Sequence, residues 1–363
     1  MTDATPLEAI LKQMILAGGP LRLDHYMGLC LSHPAHGYYM QGDPFGARGD
    51  FVTAPEISQM FGELIGVWSV HVWQSMGAPR HLRLIELGPG RGTLMADLTR
   101  TARRLTGLGS DEISVHLIEM SPALRQAQAA RLAGQNVAWH DGIDTVPDGP
   151  AILIANEFFD ALPVRQWQFS NGAWAERCIG LDGADRLAIG LRPGSTPPAE
   201  SLPPDPPFEG AIIEYSEIQA RIATEIGERV SSQNGAALII DYGHLGGYGD
   251  TVQALSKHRF VSPLARPGLV DITAHVNFSA LGTVLKQSGA AVAGPITQGD
   301  YLGAMGLTER ALRLKSSADA KQQKEIDSAV QRLAGETHAT GMGRLFKVLA
   351  ARHPALPVPH PFQ

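Results

Sequence analysis

A glycine-rich turn is the strongest chemical signal in the chain. Residues 84–93 read LIELGPGRGT, an apolar run followed by Gly88, Gly90 and Gly92 and then by a helical pattern. Positions without side chains let a flat ligand lie against the backbone, where a helix N-terminus exposes unpaired N–H groups. A dinucleotide fingerprint would need a glycine or alanine where Thr93 stands, and a phosphate-binding loop would need a following Gly-Lys-Ser/Thr. The turn therefore predicts a site for a bulky polar ligand of another kind.

A carboxylate follows the next predicted strand. Glu119 comes directly after the apolar run 115–118 and lies 27 residues beyond Gly92. Its two coplanar oxygens can accept hydrogen bonds from both hydroxyls of a ribose. We interpret the glycine turn and Glu119 together as an adenosyl-binding arrangement. The structural alternative is a tight turn beside a solvated strand end.

A third polar group follows the apolar run 151–155. Residues 156–163 read NEFFDALP. Ligands of open α/β sheets bind outside the carboxyl ends of the strands, so this segment should face the same crevice as the glycines. Asn156, Glu157 and Asp160 can hold a cationic or amino-bearing group, and Glu157 can accept a bidentate guanidinium. The carboxylates could instead cap the segment that follows.

The N-terminal loop gives weaker signals at His25, Tyr38, Tyr39, Asp50 and Thr53. A loop rich in glycine and aromatic residues can close over a site, although aromatic residues in loops more often serve ordinary packing. The sequence contains no HExxH, paired CxxC or GxSxG motif. Zinc-dependent hydrolysis and nucleophile-elbow hydrolases therefore lack support, and we expect no metal site.

The elements that must position these residues follow a regular rhythm. Short apolar runs alternate with helical patterns after residue 79, and this alternation predicts an α/β fold with a parallel sheet and helices on both faces. The runs are 82–87, 115–118, 151–155 and 236–240.

An insertion interrupts this α/β domain. Asn171-Gly172 is a two-residue hairpin signal inside the segment 164–191, and seven prolines crowd residues 193–207. We predict a helical and loop cap over residues 1–80. The α/β domain should cover residues 81–363, with an antiparallel insertion at about 164–210.

Composition excludes several classes of protein. The chain has 363 residues, 44% of them apolar and 18% charged, which is typical of a globular protein. The net charge of −6 provides no basic field for nucleic acid. Two distant cysteines indicate a reducing compartment, and every apolar run is too short to cross a membrane. The first residues lack a signal or transit pattern, so we expect a cytoplasmic, bacterial protein.

The motifs together resemble those of class I S-adenosylmethionine-dependent methyltransferases, and more narrowly those of the MidA family. The matching segments are 49–58 (GDFVTAPEIS), 61–63, 86–92, 156–163, 240–243, 271–276 and 342–347. The resemblance implies a seven-stranded, mostly parallel, Rossmann-like sheet with an N-terminal cap and an antiparallel insertion. Eukaryotic members of that family are mitochondrial complex I assembly factors that act as protein arginine methyltransferases.

The resemblance also implies roles for residues. S-adenosylmethionine would be the cofactor and S-adenosylhomocysteine the product. The implied cofactor-binding residues are Glu86, Gly88, Gly90, Gly92, Glu119, Asp141 and Thr53. The implied catalytic residues are Glu157, Asp160, Asn156 and Asp50.

The expected function is methylation of an arginine in a protein, with a respiratory complex I subunit or its bacterial counterpart as the substrate. Two alternatives stay open at this point. One is a methyltransferase for small molecules, which would share every cofactor residue. The other is an assembly chaperone that binds the cofactor without catalysis. The oligomeric state cannot be read from the sequence.

Overall fold

The computed structural model describes residues 4–41, 53–256, 259–335 and 341–363. Asp50 lies outside the described residues. The helices are α1 (Pro6–Gly18), α2 (Leu23–Ser32), α3 (Ala54–Ile57), α4 (Gln59–Ser75), α5 (Thr93–Thr106), α6 (Pro122–Arg131), α7 (Glu217–Ser232), α8 (Phe278–Gln287), α9 (Gln298–Ala304), α10 (Leu307–Lys315) and α11 (Ala320–Ala334).

The strands of the described chain include the predicted runs. They are β1 (Leu21–Arg22), β2 (Leu82–Leu87), β3 (Ile113–Ile118), β4 (Asn136–His140), β5 (Ala151–Asn156), β6 (Arg165–Ser170), β7 (Ala173–Leu181), β8 (Leu187–Pro193), β9 (Ile212–Tyr215), β10 (Ala236–His244), β11 (Gln253–Ser256), β12 (Arg259–Val261), β13 (Asp271–Thr273), β14 (Val276–Asn277), β15 (Ala291–Thr297) and β16 (Phe346–Arg352).

The chain divides into two compact units. The first comprises Met1–Phe51, Asp160–Arg221 and Leu245–Ala280, and the second comprises Val52–Phe159, Ile222–His244 and Leu281–Gln363. Each unit is thus assembled from separated stretches of chain.

A mixed sheet forms the centre of the second unit, with strand order β15-β16-β10-β5-β2-β3-β4. The strands from β10 to β4 run parallel, whereas β16 runs antiparallel to both of its neighbours. Strands β2 and β5 are buried almost throughout, as expected for central strands covered on both faces. This sheet confirms the expected α/β fold class with a mostly parallel central sheet.

Two glycines let α4 approach α5 closely within the second unit. A Cβ atom on Gly62 would lie 2.6 Å from the Cβ of Asp97, and one on Gly66 would lie 2.8 Å from the Cβ of Thr101. The apolar face of α4 belongs to the same core as β2 and α5. The unit boundary at residues 51 and 52 therefore differs from the predicted cap boundary at residue 80, because α3 and α4 pack with the α/β core.

This close approach predicts that Gly66→Ala destabilises the protein. Alanine is more favourable than glycine inside a helix by up to about 1 kcal/mol. The added methyl group has no room here, however, so we expect a net loss of about 1–3 kcal/mol in unfolding free energy. Gly303→Ala in α9 is the matched control, because a Cβ there meets nothing within 4 Å. Urea unfolding of both variants checks the prediction, and a stabilised Gly66→Ala protein would contradict it.

The first unit contains the predicted insertion. Strands follow the order β1-β7-β6-β9, with β8 paired to β7, and every pairing is antiparallel. Asn171 and Gly172 have φ of 52° and 77° and join β6 to β7, as the hairpin signal predicts. Helix α2 was not predicted, although its sequence carries a helical apolar face. Its buried residues recur at three- and four-residue steps: Leu23, Tyr26, Met27, Cys30 and Leu31.

Two histidines meet across β3 and β4. The Nδ1 of His116 lies 2.9 Å from the Nε2 of His140, and the Nδ1 of His140 lies 3.1 Å from the hydroxyl of Thr145. Burial, with the adjacent His140 as a second cause, lowers the pKa of His116 from 6.5 to about 4. His116 is therefore neutral in the folded protein at neutral pH.

The low pKa of His116 predicts that the protein loses stability as the pH falls. The folded pKa of His116 is lower than the unfolded one, so its contribution is present above pH 6.5 and is lost as the pH falls through about 4. Between pH 7 and 5 we expect the unfolding free energy of the wild type to fall by about 2 kcal/mol relative to His116→Gln. Urea unfolding at each pH measures this difference. His71→Gln, at an exposed position of α4, gives the background, and parallel curves for wild type and His116→Gln would refute the prediction.

No helix in the described part of the chain is long and apolar enough to cross a membrane.

Candidate active site

The glycine turn lies at the carboxyl end of β2 in the second unit. Gly88, Gly90 and Gly92 have φ of 60°, 52° and 76°, a backbone conformation that residues other than glycine rarely adopt. A Cβ atom on Gly88 would lie 2.8 Å from the ring of Phe158. Gly92 is the N-cap of α5. The turn therefore presents bare backbone immediately before a helix N-terminus, as the sequence predicts.

Glu86 lies on β2 just before this turn and is only 3% exposed. Burial raises the pKa of its carboxyl group to about 8. Its Oε2 has no hydrogen-bond partner among the described residues. A buried acceptor without a donor is costly unless a ligand or water supplies one, so Glu86 is a candidate for ligand binding.

Glu119 lies at the carboxyl end of β3, the neighbouring strand. Its Oε1 accepts the backbone N–H of Ser121 at 2.8 Å, and its Oε2 accepts the Nε2–H of Gln128 at 3.2 Å. Burial raises the pKa of Glu119, and these hydrogen bonds together with the charge of Arg125 oppose the rise. Asp141 follows β4, is largely exposed and forms an ion pair of 2.6 Å with Arg125.

The turn after β5 holds Asn156 and Glu157. Glu157 has a φ of 50°, which is strained for a residue with a side chain. Its Oε1 accepts the backbone N–H of Ala54 at 3.0 Å and the Nδ2–H of Asn156 at 3.1 Å. The side-chain oxygen of Asn156 is buried and has no partner within the described residues. Strain and an unpartnered polar atom at one strand end are typical of functional sites.

Asp241 fixes this turn and was missed as a site residue. It is fully buried on β10, and its Oδ2 accepts the backbone N–H groups of Phe158 at 3.2 Å and Phe159 at 2.9 Å. The only sequence signal was its place in the segment 240–243. Asp241 holds the backbone of the turn that presents Glu157.

Helix α3 contacts both the turn after β5 and the start of α5. Thr53 is its N-cap residue but makes no capping hydrogen bond with its side chain. The first N–H of the helix, on Ala54, goes to Glu157, and Glu56 accepts a hydrogen bond of 2.5 Å from the hydroxyl of Thr93 at the start of α5. The structure therefore brings the neighbour of Thr53 to Glu157 and links the segment to the glycine turn.

Asp160 belongs to the first unit. It is 6% exposed, and its carbonyl oxygen accepts the backbone N–H of Ala274 at 3.0 Å. In the same unit the hydroxyl of Tyr39 donates to Asp271 at 3.2 Å, and burial raises the pKa of Tyr39 well above 10. The roles of Asp160 and Asp50 stay predictions.

The second unit thus carries a bare glycine turn, a carboxylate after the next strand, and a strained carboxylate after a third strand. The sequence model of a family of S-adenosyl-L-methionine-dependent methyltransferases matches residues 64–296, which is more than half of the chain. The chain belongs to this family. The protein is an S-adenosylmethionine-dependent methyltransferase.

Curated relatives match this methyltransferase over most of its length. The protein arginine methyltransferase NDUFAF7 of Xenopus tropicalis, named mitochondrial, is 37% identical over 375 residues, covering 95% of this chain and 86% of its own length. Its Drosophila melanogaster homologue, also named mitochondrial, is 37% identical over 369 residues, covering 94% and 83%. The human protein is 35% identical over 355 residues, covering 89% and 77%.

A solved structure agrees with the methyltransferase fold. A crystal structure from Burkholderia thailandensis with S-adenosyl-homocysteine bound is 29% identical, covers 97% of this chain and 93% of its own, and has a TM-score of 0.83. A native crystal structure of a protein of the same superfamily, from the same organism, has a TM-score of 0.80 at 30% identity, covering 96% and 91%.

The residues of this chain fit the cofactor. The Oε2 of Glu86, which has no partner among the described residues, suits a group that donates hydrogen bonds, such as the amino group of the methionine part. The glycine turn leaves room for a ligand against the backbone, and Glu119 can accept ribose hydroxyls. The individual contacts stay proposals, since they are assigned from the chemistry of these groups.

Proposed function

We propose that this methyltransferase transfers the methyl group to an arginine of another protein, and that the substrate is a subunit of respiratory complex I or its bacterial counterpart. One observation carries the arginine assignment. The turn after β5 combines the Glu157 carboxylate with the buried Oδ1 of Asn156, which has no partner in the described part of the chain, so the turn is rich in acceptors. A guanidinium group offers five N–H donors and a positive charge, and it matches such a pair. The named activity of the relatives supports the same assignment.

The mechanism needs alignment more than chemical activation by side chains. The cofactor supplies a methyl group on a sulfonium, which is already a good leaving group. Glu157 holds the guanidinium and directs one nitrogen toward the methyl group. The nitrogen–carbon bond forms as the sulfur–carbon bond breaks, and the proton lost from that nitrogen passes to Glu157 or to water. Alignment of two reactants can supply about 7–11 kcal/mol of the barrier reduction.

Asp241 and Ala54 support this alignment. Asp241 holds the turn through Phe158 and Phe159, and the Ala54 N–H holds one carboxylate oxygen of Glu157. A carboxylate fixed from two sides loses little conformational freedom when it accepts a cation.

Two measurements test the proposal. Calorimetric titration should show micromolar binding of S-adenosylhomocysteine and none of NAD. Methyl-labelled cofactor should then label a protein among separately purified complex I subunits, and mass spectrometry should place the label on arginine. The control is the same subunit with its arginines changed to lysine. Label in a small product would instead favour the small-molecule enzyme, and cofactor binding without any transfer would favour the chaperone.

A further inference from the structure

Gln128 is a fully buried polar residue on α6 that the sequence did not single out. Its Nε2 donates to the carbonyl oxygen of Gly90 at 2.7 Å and to the Oε2 of Glu119 at 3.2 Å. Its Oε1 accepts the indole N–H of Trp139 at 2.8 Å. A rotated amide would place its oxygen against two acceptors, so these three partners fix the orientation of the side chain.

The three partners lie on three separate segments of the second unit. Gly90 is in the glycine turn, Glu119 follows β3, and Trp139 is on β4. A Cβ atom on Gly92 would also lie 3.5 Å from the Cγ of Gln128, so the side chain packs under the turn as well. One amide thus sets the distance between the glycine turn and the carboxylate of Glu119.

We propose that Gln128 is a positioning residue for the cofactor, which keeps Glu119 ionised and in one rotamer at a fixed distance from the glycine turn. The proposal rests on the proposed assignment of Glu119 to the ribose. An ionised carboxylate binds hydroxyl groups more strongly than a carboxylic acid does, because charge-assisted hydrogen bonds are about twice as strong as neutral ones.

The electrostatic surroundings of Glu119 support this role. Burial favours the neutral acid, whereas the N–H groups of Ser121 and Gln128 and the charge of Arg125 favour the carboxylate. Arg125 is itself shared, because its Nε donates to the backbone oxygen of Glu119 at 2.7 Å and it is paired with Asp141. On the β4 side, the backbone oxygen of His140 accepts the Glu119 N–H. Loss of the Gln128 donor therefore removes one of the interactions that counter the effect of burial, and the pKa of Glu119 rises.

Two variants of Gln128 should respond to pH in opposite directions. Gln128→Met keeps the volume but removes the donor, so it should weaken S-adenosylhomocysteine binding about 10- to 100-fold at pH 6.5 and recover part of the loss at pH 8.5. Gln128→Glu places a second carboxylate beside Glu119. The two acids share a proton at low pH and repel each other at high pH, so binding by this variant should weaken as the pH rises.

The measurement is calorimetric titration with S-adenosylhomocysteine between pH 6 and 9. Each dissociation constant is divided by that of the wild type at the same pH, which removes the titration of Glu86 from the comparison. Trp139→Phe is the control, because it removes an acceptor contact of Gln128 but leaves both donor contacts. Its ratio should stay constant with pH. Thermal unfolding without ligand shows which variants are folded. If Gln128→Met is not folded, the pH dependence of Gln128→Glu tests the proposal by itself.

The outcomes separate this proposal from the proposed function. Opposite pH trends of the two Gln128 variants would support the positioning role, which a purely structural contact does not predict. Ratios that do not change with pH, on a wild type that binds the ligand, would overturn the positioning role alone. A wild type that does not bind S-adenosylhomocysteine would overturn both.

Discussion

Glu157→Gln should reduce methyl transfer at least about 100-fold while leaving S-adenosylhomocysteine binding within about twofold. The glutamine keeps a side-chain oxygen for the N–H groups of Ala54 and Asn156, so the turn and the start of α3 retain their contacts. What it loses is the negative charge that, in the proposed mechanism, holds the guanidinium and can accept its proton. Transfer of labelled methyl groups to a protein substrate, measured beside calorimetric titration, checks both halves.

The control for this prediction is Glu112→Gln, a charge-matched change just before β3, at the amino end of the sheet strands. It should leave both transfer and binding unchanged. A Glu157→Gln protein with full activity would remove Glu157 from the mechanism. A variant that loses ligand binding as well would assign Glu157 to the cofactor rather than to the substrate.

Glu119→Ala should abolish measurable binding of S-adenosylhomocysteine, with a loss of at least about 100-fold. The alanine removes both oxygens that we propose as acceptors for the ribose hydroxyls. Gln128 keeps its hydrogen bond to Gly90, so the glycine turn remains supported. Titration of the variant beside the wild type measures the effect.

Glu112→Ala again provides the matched comparison, because it removes a carboxylate next to the opposite end of the same strand β3. Unchanged binding in that variant would show that the loss depends on position and not on net charge. Wild-type affinity in Glu119→Ala would place the ribose elsewhere and would also remove the basis of the positioning role of Gln128.

The local parts of this molecule were predictable from sequence. The strands β2, β3, β5 and β10 are short runs of mostly apolar residues. The Asn171-Gly172 turn has the positive φ values that its residue types favour. The glycine turn follows β2 directly, so its position at the carboxyl end of a strand needed only the identification of that strand. These features depend on neighbouring residues alone.

The features that the sequence did not reveal depend on contacts between distant residues. Asp241 and Phe158 are separated by 83 positions, and Gln128 and Gly90 by 38. A buried aspartate in a strand or a glutamine in a helix has no local pattern that marks its partners. The packing of α4 with the α/β core is likewise not marked in the sequence, because the contact of Gly66 with Thr101 is apparent only when the two helices lie side by side.

The antiparallel strand β16 constrains how the protein can be made. β16 lies between β15 and β10 in the sheet, although it is synthesised after both of them. While a ribosome is still adding residues 346–352, the edges of β10 and β15 are therefore unpaired, and open edges are templates for association with other chains. The central sheet can be completed only after β16 has been translated. A premature stop codon before β16 should therefore yield an aggregation-prone fragment rather than a shortened enzyme.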